Sequence, residues 1–220
     1  MAKEVPVPRV IVIGLGIFGY NLVRDLFDAG VDVIAIDKNK DAIQSVRDFC
    51  TKAIHADATD KGVLESIGIR EDDIVIVSFG EDLASSTLLT LYLKNMKIKN
   101  ILVKAPNEEH KLVLEKVGAT EVIIPEKEMA AKIAKSIVAP NLIDYIPISE
   151  DYMICEVAPP KQFIGKTIKE VHLRSNYGVY AIAIKDILMD RVFMVNPDYK
   201  MKDSDVLIVI GKTENIEKLK

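Results

Sequence analysis

Three glycines near the start of the chain have the spacing of a phosphate-binding turn. Gly14, Gly16 and Gly19 follow the β-branched run VIVI and precede an amphipathic helical pattern. In such a turn the first glycine permits a tight bend, the second lets the backbone approach a phosphate, and the third lets the helix pack closely on the strand. The start of that helix would direct free N–H groups and its positive dipole end at the phosphate. The spacing therefore predicts a nucleotide site.

An acidic residue stands where such a site binds ribose. Asp37 follows Gly19 by 18 residues and closes the second apolar run, VDVIAID. A carboxylate there can accept hydrogen bonds from both ribose hydroxyls, and it would repel a 2′-phosphate, which argues against NADP. The alternative interpretation is that the glycine-containing segment forms an ordinary strand–turn–helix that binds no ligand.

Other candidate contacts lie where the later strands end. Asp57 and Thr59 should border the adenine, although both residue types also cap helices. Ser78 to Gly80 should cover the ligand, and Lys104 either reaches a phosphate or is a solvated lysine. The full predicted nucleotide-contact set is Gly14, Gly16, Ile17, Phe18, Gly19, Asp37, Lys38, Asp57, Ala58, Thr59, Ser78, Phe79, Gly80 and Lys104.

The residues needed for common catalytic chemistry are missing from the sequence. The three histidines, His55, His110 and His172, are isolated from any nucleophile or metal partner, which favours surface or capping roles. Cys50 and Cys155 match no metal spacing, and neither a nucleophile elbow nor a Walker-type lysine is present. We therefore predict no catalytic residue and no enzymatic activity.

Alternating strands and helices must position the nucleotide site. Six apolar runs predict strands at residues 10–13, 31–37, 53–57, 73–80, 100–105 and 121–126. The intervening segments predict helices at 19–29, 39–50, 60–67, 82–97 and 107–117. Strands apolar on both faces and separated by helices indicate a parallel sheet covered on both sides. The predicted fold is α/β, a Rossmann-like doubly wound sheet.

The pattern changes in the last third of the chain. Residues 126–138 predict a helix with an apolar stripe of Met129, Ile133 and Ile137, which either closes the sheet or binds a second copy. We interpret 1–138 as the nucleotide-binding domain, 139–150 as a linker and 151–220 as a small α+β domain. Strands are predicted there in DYMICEVAP, GVYAIAIKD, DRVFMVN and DVLIVIG, with short helical pieces in GKTIKEVHLR and TENIEKLK.

Composition excludes several classes of protein. The 220 residues carry 29 Lys and Arg against 33 Asp and Glu, a formal charge of −4, which disfavours nucleic acid as a partner. The longest uncharged stretch, residues 10–23, contains three glycines and is shorter than the roughly 20 apolar residues that a bilayer span needs. The start, MAKEVPVPR, lacks the apolar segment of a signal peptide.

Taken together, these motifs resemble the regulatory subunits of Ktr- and Trk-type potassium uptake systems, the RCK proteins, with the KtrA type closest. The resemblance rests on IVIGLGIFGYNLVRDL, VIAIDKN, VIVSFGED and VKAPNEEHKLVLEKVGATEVIIPEKEMAAKIA, with IGKTIKEVHLRSNYGVYAIAI and DVLIVIG towards the end. It covers about residues 8–219.

The resemblance implies a function and an assembly. It implies an N-terminal lobe that binds ATP, ADP, AMP or NAD(H), and a small C-terminal lobe, for which a cyclic dinucleotide or a cation is a candidate second ligand. It implies dimers assembled into an octameric ring on a membrane-embedded K⁺ transporter subunit of the KtrB or TrkH type. Such a protein is cytoplasmic and peripheral at the inner face of the membrane. Glu126 matches an acid that can join Mg²⁺ or Ca²⁺ to the nucleotide.

One position departs from the pattern of this family. Many Ktr-type members have GLGRFG, with an arginine directed at the terminal phosphate, whereas this chain has Ile17. The loss of a bidentate-capable cation weakens the case for ATP and for the cation at Glu126. Two alternatives stay open: a small NAD-dependent oxidoreductase, and a nucleotide sensor without a membrane partner.

Overall fold

A computed structural model describes residues 8–219; residues 1–7, which include most of the segment tested for a signal peptide, and residue 220 lie outside it. The chain divides into two compact units, the first ending at Lys127 and the second beginning at Glu128.

The first unit contains a six-stranded parallel sheet in the order β3-β2-β1-β4-β5-β6. Its strands are β1 (Val10–Ile13), β2 (Val33–Asp37), β3 (Lys52–His55), β4 (Ile74–Val77), β5 (Asn100–Lys104) and β6 (Glu121–Ile123). The helices that connect them are α1 (Ile17–Asp28), α2 (Lys40–Val46), α3 (Lys61–Ile67), α4 (Leu83–Asn95) and α5 (Glu108–Val117). The doubly wound fold predicted from the sequence is confirmed, and its order reverses between β1 and β4, where such folds bind ligands.

Both faces of this sheet are covered, as the apolar runs predict. Alternate residues of β1 enter different apolar clusters, with Ile11 and Ile13 in one and Val10 and Val12 in the other. All four are at most 3% exposed. Because side chains of a strand alternate between faces, this continuous apolar run requires helices on both sides.

The helix starts differ in a way that matters for the site. Asn39, Asp60, Asp82 and Asn107 precede α2, α3, α4 and α5, and each accepts a hydrogen bond from a backbone N–H of the first turn. Helix α1 begins instead after Gly16, which has no side chain to cap it. The first N–H groups of α1 are therefore left for another acceptor.

The second unit contains a five-stranded antiparallel sheet in the order β10-β9-β11-β8-β7. Its strands are β7 (Leu142–Pro147), β8 (Tyr152–Val157), β9 (Val179–Asp186), β10 (Arg191–Met194) and β11 (Asp205–Lys212). Short helices α7 (Ile168–Val171) and α8 (Thr213–Ile216) accompany it, with a π-helical turn at Leu173–Tyr177. The predicted α+β character of this region is confirmed.

The linker predicted at 139–150 needs correction, because it contains β7. This strand pairs with β8 at the edge of the sheet, with a register shift between Leu142 and Asp144. An edge strand tolerates proline, here Pro147 at its end. In the sequence, the neighbouring Pro140 and Asn141 indicate a turn, and β7 therefore cannot be recognised as a strand from its local pattern.

Helix α6 (Pro125–Val138) begins in the first unit and continues into the second. Its stripe of Met129, Ile133 and Ile137 is 56%, 52% and 73% exposed. Exposure of this stripe favours the second-copy alternative over closure of the sheet. None of the helices described is long and apolar enough to span a membrane.

Candidate functional site

The glycine turn has the geometry that its spacing predicts. Gly14 has a φ of +94°, and a Cβ there would lie 2.9 Å from the carbonyl oxygen of Ser78. A Cβ on Gly19 would lie 2.0 Å from the carbonyl oxygen of Gly14. Both positions therefore need glycine for the turn to form and for α1 to pack against it.

Gly16 differs from its two neighbours in the motif. A Cβ added there would meet no atom within 4 Å, and its φ of −64° is ordinary. The fold thus gives no reason for a glycine at this position, whereas a ligand that approaches the backbone does. No acidic residue lies in the first turn of α1, so its uncapped N–H groups are suited to an anion.

Asp37 joins the glycine turn to the end of β2. Its Oδ2 accepts a hydrogen bond from the Leu15 backbone N–H at 2.6 Å, and its Oδ1 accepts one from the Asn39 N–H at 2.7 Å. These bonds fix the carboxylate in one orientation. Each carboxylate oxygen can accept a further bond, so both can still receive ribose hydroxyls.

A pocket of about 210 Å³ lies over the carboxyl ends of the strands around the glycine turn. Of the predicted contacts, it is lined by Gly14, Gly16, Asp37, Lys38, Asp57, Ala58, Thr59, Ser78 and Phe79. Five further residues line it that the sequence analysis did not select: Ile13, Leu15, Ala56, Asp82 and Ser85. Ile17, Phe18, Gly19, Gly80 and Lys104 are not among its lining residues.

Two oriented carboxylates belong to this pocket. Asp57 Oδ1 accepts hydrogen bonds from the Thr59 N–H at 2.9 Å and hydroxyl at 2.7 Å, and these bonds lower the pKa of Asp57. Asp82 accepts bonds from the Ser85 N–H at 3.0 Å and hydroxyl at 2.7 Å, which lower the pKa of Asp82. The positive charge of Lys38 lowers both pKa values further. Both groups are therefore ionised at neutral pH.

Asp82 and Ser85 could have been found in the sequence. An Asp just before an apolar helical run is a helix N-cap signal, and Ser85 is the third residue of that helix, whose N–H such a cap receives. Because Asp82 also follows β4 at the reversal of strand order, the cap had to lie near the ligand pocket.

The predicted phosphate and metal contacts form a separate group beside the turn. Ile17 is 88% exposed at the start of α1. Lys104 lies with its Nζ 5.9 Å from the centroid of the Phe18 ring and donates to Glu126 Oε1 at 2.5 Å. That bond lowers the pKa of Glu126. Gly80 has a φ of +63° in the loop after β4.

The structure gives Glu126 a cation partner from the protein itself. Among residues 8–219, no group of three or more His, Cys, Asp or Glu side chains is placed to hold a metal ion. The metal role implied for Glu126 therefore stays a prediction.

His55 and His110 have polar neighbours within the fold, His172 ends a short helix, and both cysteines are affected by burial. His55 Nε2 lies 3.0 Å from the Lys38 carbonyl oxygen, and His172 ends α7 with a φ of 53°. His110 is buried rather than on the surface, with its Nε2 3.4 Å from Ser86 Oγ. Burial raises the pKa of Cys155 to about 12 and also raises that of Cys50, so both thiols stay protonated at neutral pH.

Comparisons with known proteins find a matching family model for each unit of the chain. The family model described as the TrkA-N domain matches residues 10–125, and that described as the TrkA-C domain matches 152–220. The chain is 38% identical over 210 residues to Ktr system potassium uptake protein A of Bacillus subtilis, and 36% identical over 209 residues to protein C of the same organism. Each alignment covers 94% of this chain and 93% of the relative.

A solved structure shares the fold. The GsuK channel bound to NAD superimposes with a TM-score of 0.63 at 17% identity, covering 98% of this chain and 40% of that one. The chain thus spans less than half the length of that channel chain, and at this identity the likeness extends to the fold alone.

Proposed function

Because this chain belongs to the TrkA-domain family that includes the Ktr system potassium uptake proteins, we propose that it is the nucleotide-binding regulatory subunit of a potassium uptake system. The observation that carries the proposal is the pocket itself, in which an open Gly16 and an oriented Asp37 face the same space. In this account the protein binds a nucleotide and gates a membrane partner, and it is not an enzyme.

The ligand is an adenosine compound with a free ribose 2′-hydroxyl: ATP, ADP, AMP or NAD(H). Asp37 supports this choice because its carboxylate accepts hydrogen bonds from hydroxyl groups and repels a 2′-phosphate. Ile17 offers no charge to a terminal phosphate, which favours ADP, AMP or NAD(H) over ATP. The GsuK channel, which shares the fold, was solved bound to NAD. A divalent cation at Glu126 is not needed, since Lys104 already neutralises that carboxylate.

Two ion pairs connect the carboxyl edge of the parallel sheet to the first turn of α6. Lys104 at the end of β5 pairs with Glu126, and Glu108 at the start of α5 pairs with Lys127. Both partners on α6 lie in its first turn. A phosphate at the start of α1 would compete with Glu126 for Lys104 and so weaken one of the two ion pairs made by the first turn of α6. A nucleotide shifts a conformational equilibrium only through such a difference in affinity between two states.

The exposed stripe of α6 supports self-association. Met129, Ile133 and Ile137 form an apolar surface at helical spacing that a second copy can cover. We propose that dimers formed there assemble into an octameric ring on a membrane-embedded K⁺ transporter subunit of the KtrB or TrkH type, at the cytoplasmic face of the membrane. The nucleotide-binding domain is proposed to end at residue 138, as predicted from the sequence, and β7 is assigned to the second domain because it pairs with β8.

Two measurements test the proposal. Denaturing the purified protein and identifying the released ligand by mass spectrometry should give an adenosine nucleotide. Calorimetry should then show that Asp37→Ala weakens ADP and NADH binding by at least tenfold, roughly one charged hydrogen bond. Asp41→Ala, an acid nearby on α2 outside the pocket, is the control and should bind normally.

The enzyme alternative makes the opposite prediction. Steady NADH turnover with a small substrate would overturn the regulatory proposal. Unchanged affinity in a folded Asp37→Ala variant would remove Asp37 from the ribose. Purification of the ring together with a multi-spanning membrane protein would support the partner and exclude a free-standing sensor.

A further inference from the structure

An apolar hairpin tip lies at one edge of the five-stranded sheet. Residues 187–189, with the sequence Ile-Leu-Met, follow β9 and lead into the edge strand β10. Leu188 is 82% exposed, and the other two residues of this tip are more than half exposed. Turns are ordinarily polar, so three adjacent large apolar side chains in one turn indicate a surface that another molecule covers.

Hydrogen bonds hold the tip in one conformation. Asp186 is buried, and its Oδ1 accepts hydrogen bonds from the backbone N–H groups of Leu188 at 3.1 Å and Met189 at 3.3 Å. Its Oδ2 accepts a hydrogen bond from Lys202 Nζ at 3.1 Å. The apolar side chains are therefore presented in a fixed orientation, which lowers the entropy cost of docking.

The same unit of the chain contains an apolar pocket of about 350 Å³, here called the α8 pocket. It lies between the end of α6, strands β7 and β8, and helix α8, and its apolar lining comprises Val138, Leu142, Met153, Val157, Ile216 and Leu219. An apolar cavity of about 150 Å³ already holds a benzene molecule. The α8 pocket is therefore large enough for two large apolar side chains.

The tip and the α8 pocket lie at opposite edges of the sheet. Strand β10 forms one edge and β7 the other, with three strands between them. Neighbouring strands are about 4.8 Å apart, so roughly 19 Å separates the two edge strands. A tip held rigidly at one edge cannot fill a pocket at the other edge of its own sheet, whereas the tip of a second copy can.

Charged side chains around the two surfaces are complementary. Asp190 and Arg191 follow the tip, and Lys135 and Glu217 line the α8 pocket. Among residues 8–219 none of these four side chains forms an ion pair. Lys135 Nζ lies 4.1 Å from the centroid of the Tyr145 ring. Each surface thus offers the other one charge of each sign.

We propose that the tip of one copy of this chain inserts Leu188 and Met189 into the α8 pocket of a second copy. Because the two surfaces differ, every copy offers both, and the contact links copies head to tail, closing into a ring where the rotation allows. A three-residue tip buries less than the roughly 1,000 Å² that a stable interface needs, so this contact acts together with the one proposed along α6. It does not require the nucleotide site.

Two exposed positions test the contact without disturbing the fold. Leu188→Asp places a charge on the tip, and Val138→Lys places one at the α8 pocket, where Val138 is exposed at the end of α6. A cation is favourable at a helix C-terminus, so Val138→Lys should not weaken α6. Val192→Asp is the matched control, because Val192 is exposed on β10 of the same hairpin but lies outside the tip.

Analytical ultracentrifugation of the intact chain over a range of concentrations measures association beyond the dimer. The wild type and Val192→Asp should form assemblies larger than a dimer. Leu188→Asp and Val138→Lys should each raise the Kd of that step at least tenfold, because the burial of a leucine side chain is lost. An equimolar mixture of these two variants should restore the larger assemblies, since one retains an intact pocket and the other an intact tip.

Three results of this experiment would overturn the proposal: a wild type that stays dimeric at every concentration, variants that associate as the wild type does, and a mixture that associates no better than its components. Binding to vesicles of phosphatidylcholine and phosphatidylglycerol that Leu188→Asp abolishes, with association unchanged, would also overturn it and would assign the tip to a lipid surface. Nucleotide affinity should be the same in all of these variants, so this proposal and the proposed nucleotide-binding function fail independently.

Discussion

Gly16→Ala separates ligand binding from folding more sharply than any other change in the turn. A methyl group at this position meets no protein atom within 4 Å, and the φ of −64° suits any residue. Alanine caps a helix less well than glycine, at a cost of about 1 kcal/mol. Alanine also lowers the conformational entropy of the unfolded chain, which stabilises the folded protein by about 0.4–1 kcal/mol. The two effects nearly cancel, so the free energy of unfolding should change by less than about 1 kcal/mol.

The same methyl group should remove nucleotide binding. It would occupy the space through which a phosphate reaches the N–H groups at the start of α1. Loss of two such hydrogen bonds to a charged group, at about 1.5 kcal/mol each, corresponds to a fall of at least 100-fold in ADP affinity. Thermal unfolding and calorimetry on the same sample measure both quantities.

Two other glycines provide the controls. Gly62→Ala lies at the start of α3, outside the pocket, and should leave ADP affinity unchanged. Gly19→Ala should unfold the first unit, because its Cβ would lie 2.0 Å from the Gly14 carbonyl oxygen. Wild-type ADP affinity in Gly16→Ala would refute the claim that this turn binds the phosphate.

Three further changes test neighbouring parts of the account. Ile17→Arg should raise the preference for ATP over ADP, since it adds a cation at an exposed position beside the turn, and an unchanged ratio of affinities would count against that placement. Glu126→Gln should raise ADP affinity roughly twofold to fivefold, because it frees Lys104. Glu108→Gln breaks the other ion pair to α6 and should leave ADP affinity unchanged. Equal changes of affinity in the two variants would exclude competition for Lys104. Burial raises the pKa of Cys155 to about 12, so only about one molecule in ten thousand carries the thiolate at pH 8. In a Cys50→Ser variant, iodoacetamide should therefore label Cys155 only after the protein unfolds.

The parts of the fold predicted from sequence are those with strong local patterns. The parallel sheet follows from runs such as residues 10–13, because only a strand covered on both faces is apolar throughout. Strand β7 was missed because it lies at a sheet edge, with most of its residues exposed and turn-forming residues beside it. Pairing with β8 is a long-range contact that a local pattern does not reveal.

The candidate site could likewise be predicted from the sequence only where local patterns determine it. Glycines with fixed spacing and Asp37 could be placed from sequence, because backbone conformation and strand end dictate them. Asp82 could be placed at the carboxyl end of β4 by its capping pattern, but its approach to Asp57 could not be predicted, because that depends on the folded sheet. The pairing of Lys104 with Glu126 likewise joins residues that sequence analysis assigned to separate phosphate and metal roles.

Potassium uptake measured with the Gly16→Ala variant tests the central claim most directly. Cells that lack their own uptake systems would express the membrane partner of this protein together with either the wild-type chain or the variant. The account predicts that the wild type restores uptake and that Gly16→Ala, although folded and assembled with the partner, does not respond to nucleotide and leaves uptake unregulated. Equal, normally regulated uptake with a variant shown to bind no nucleotide would contradict it.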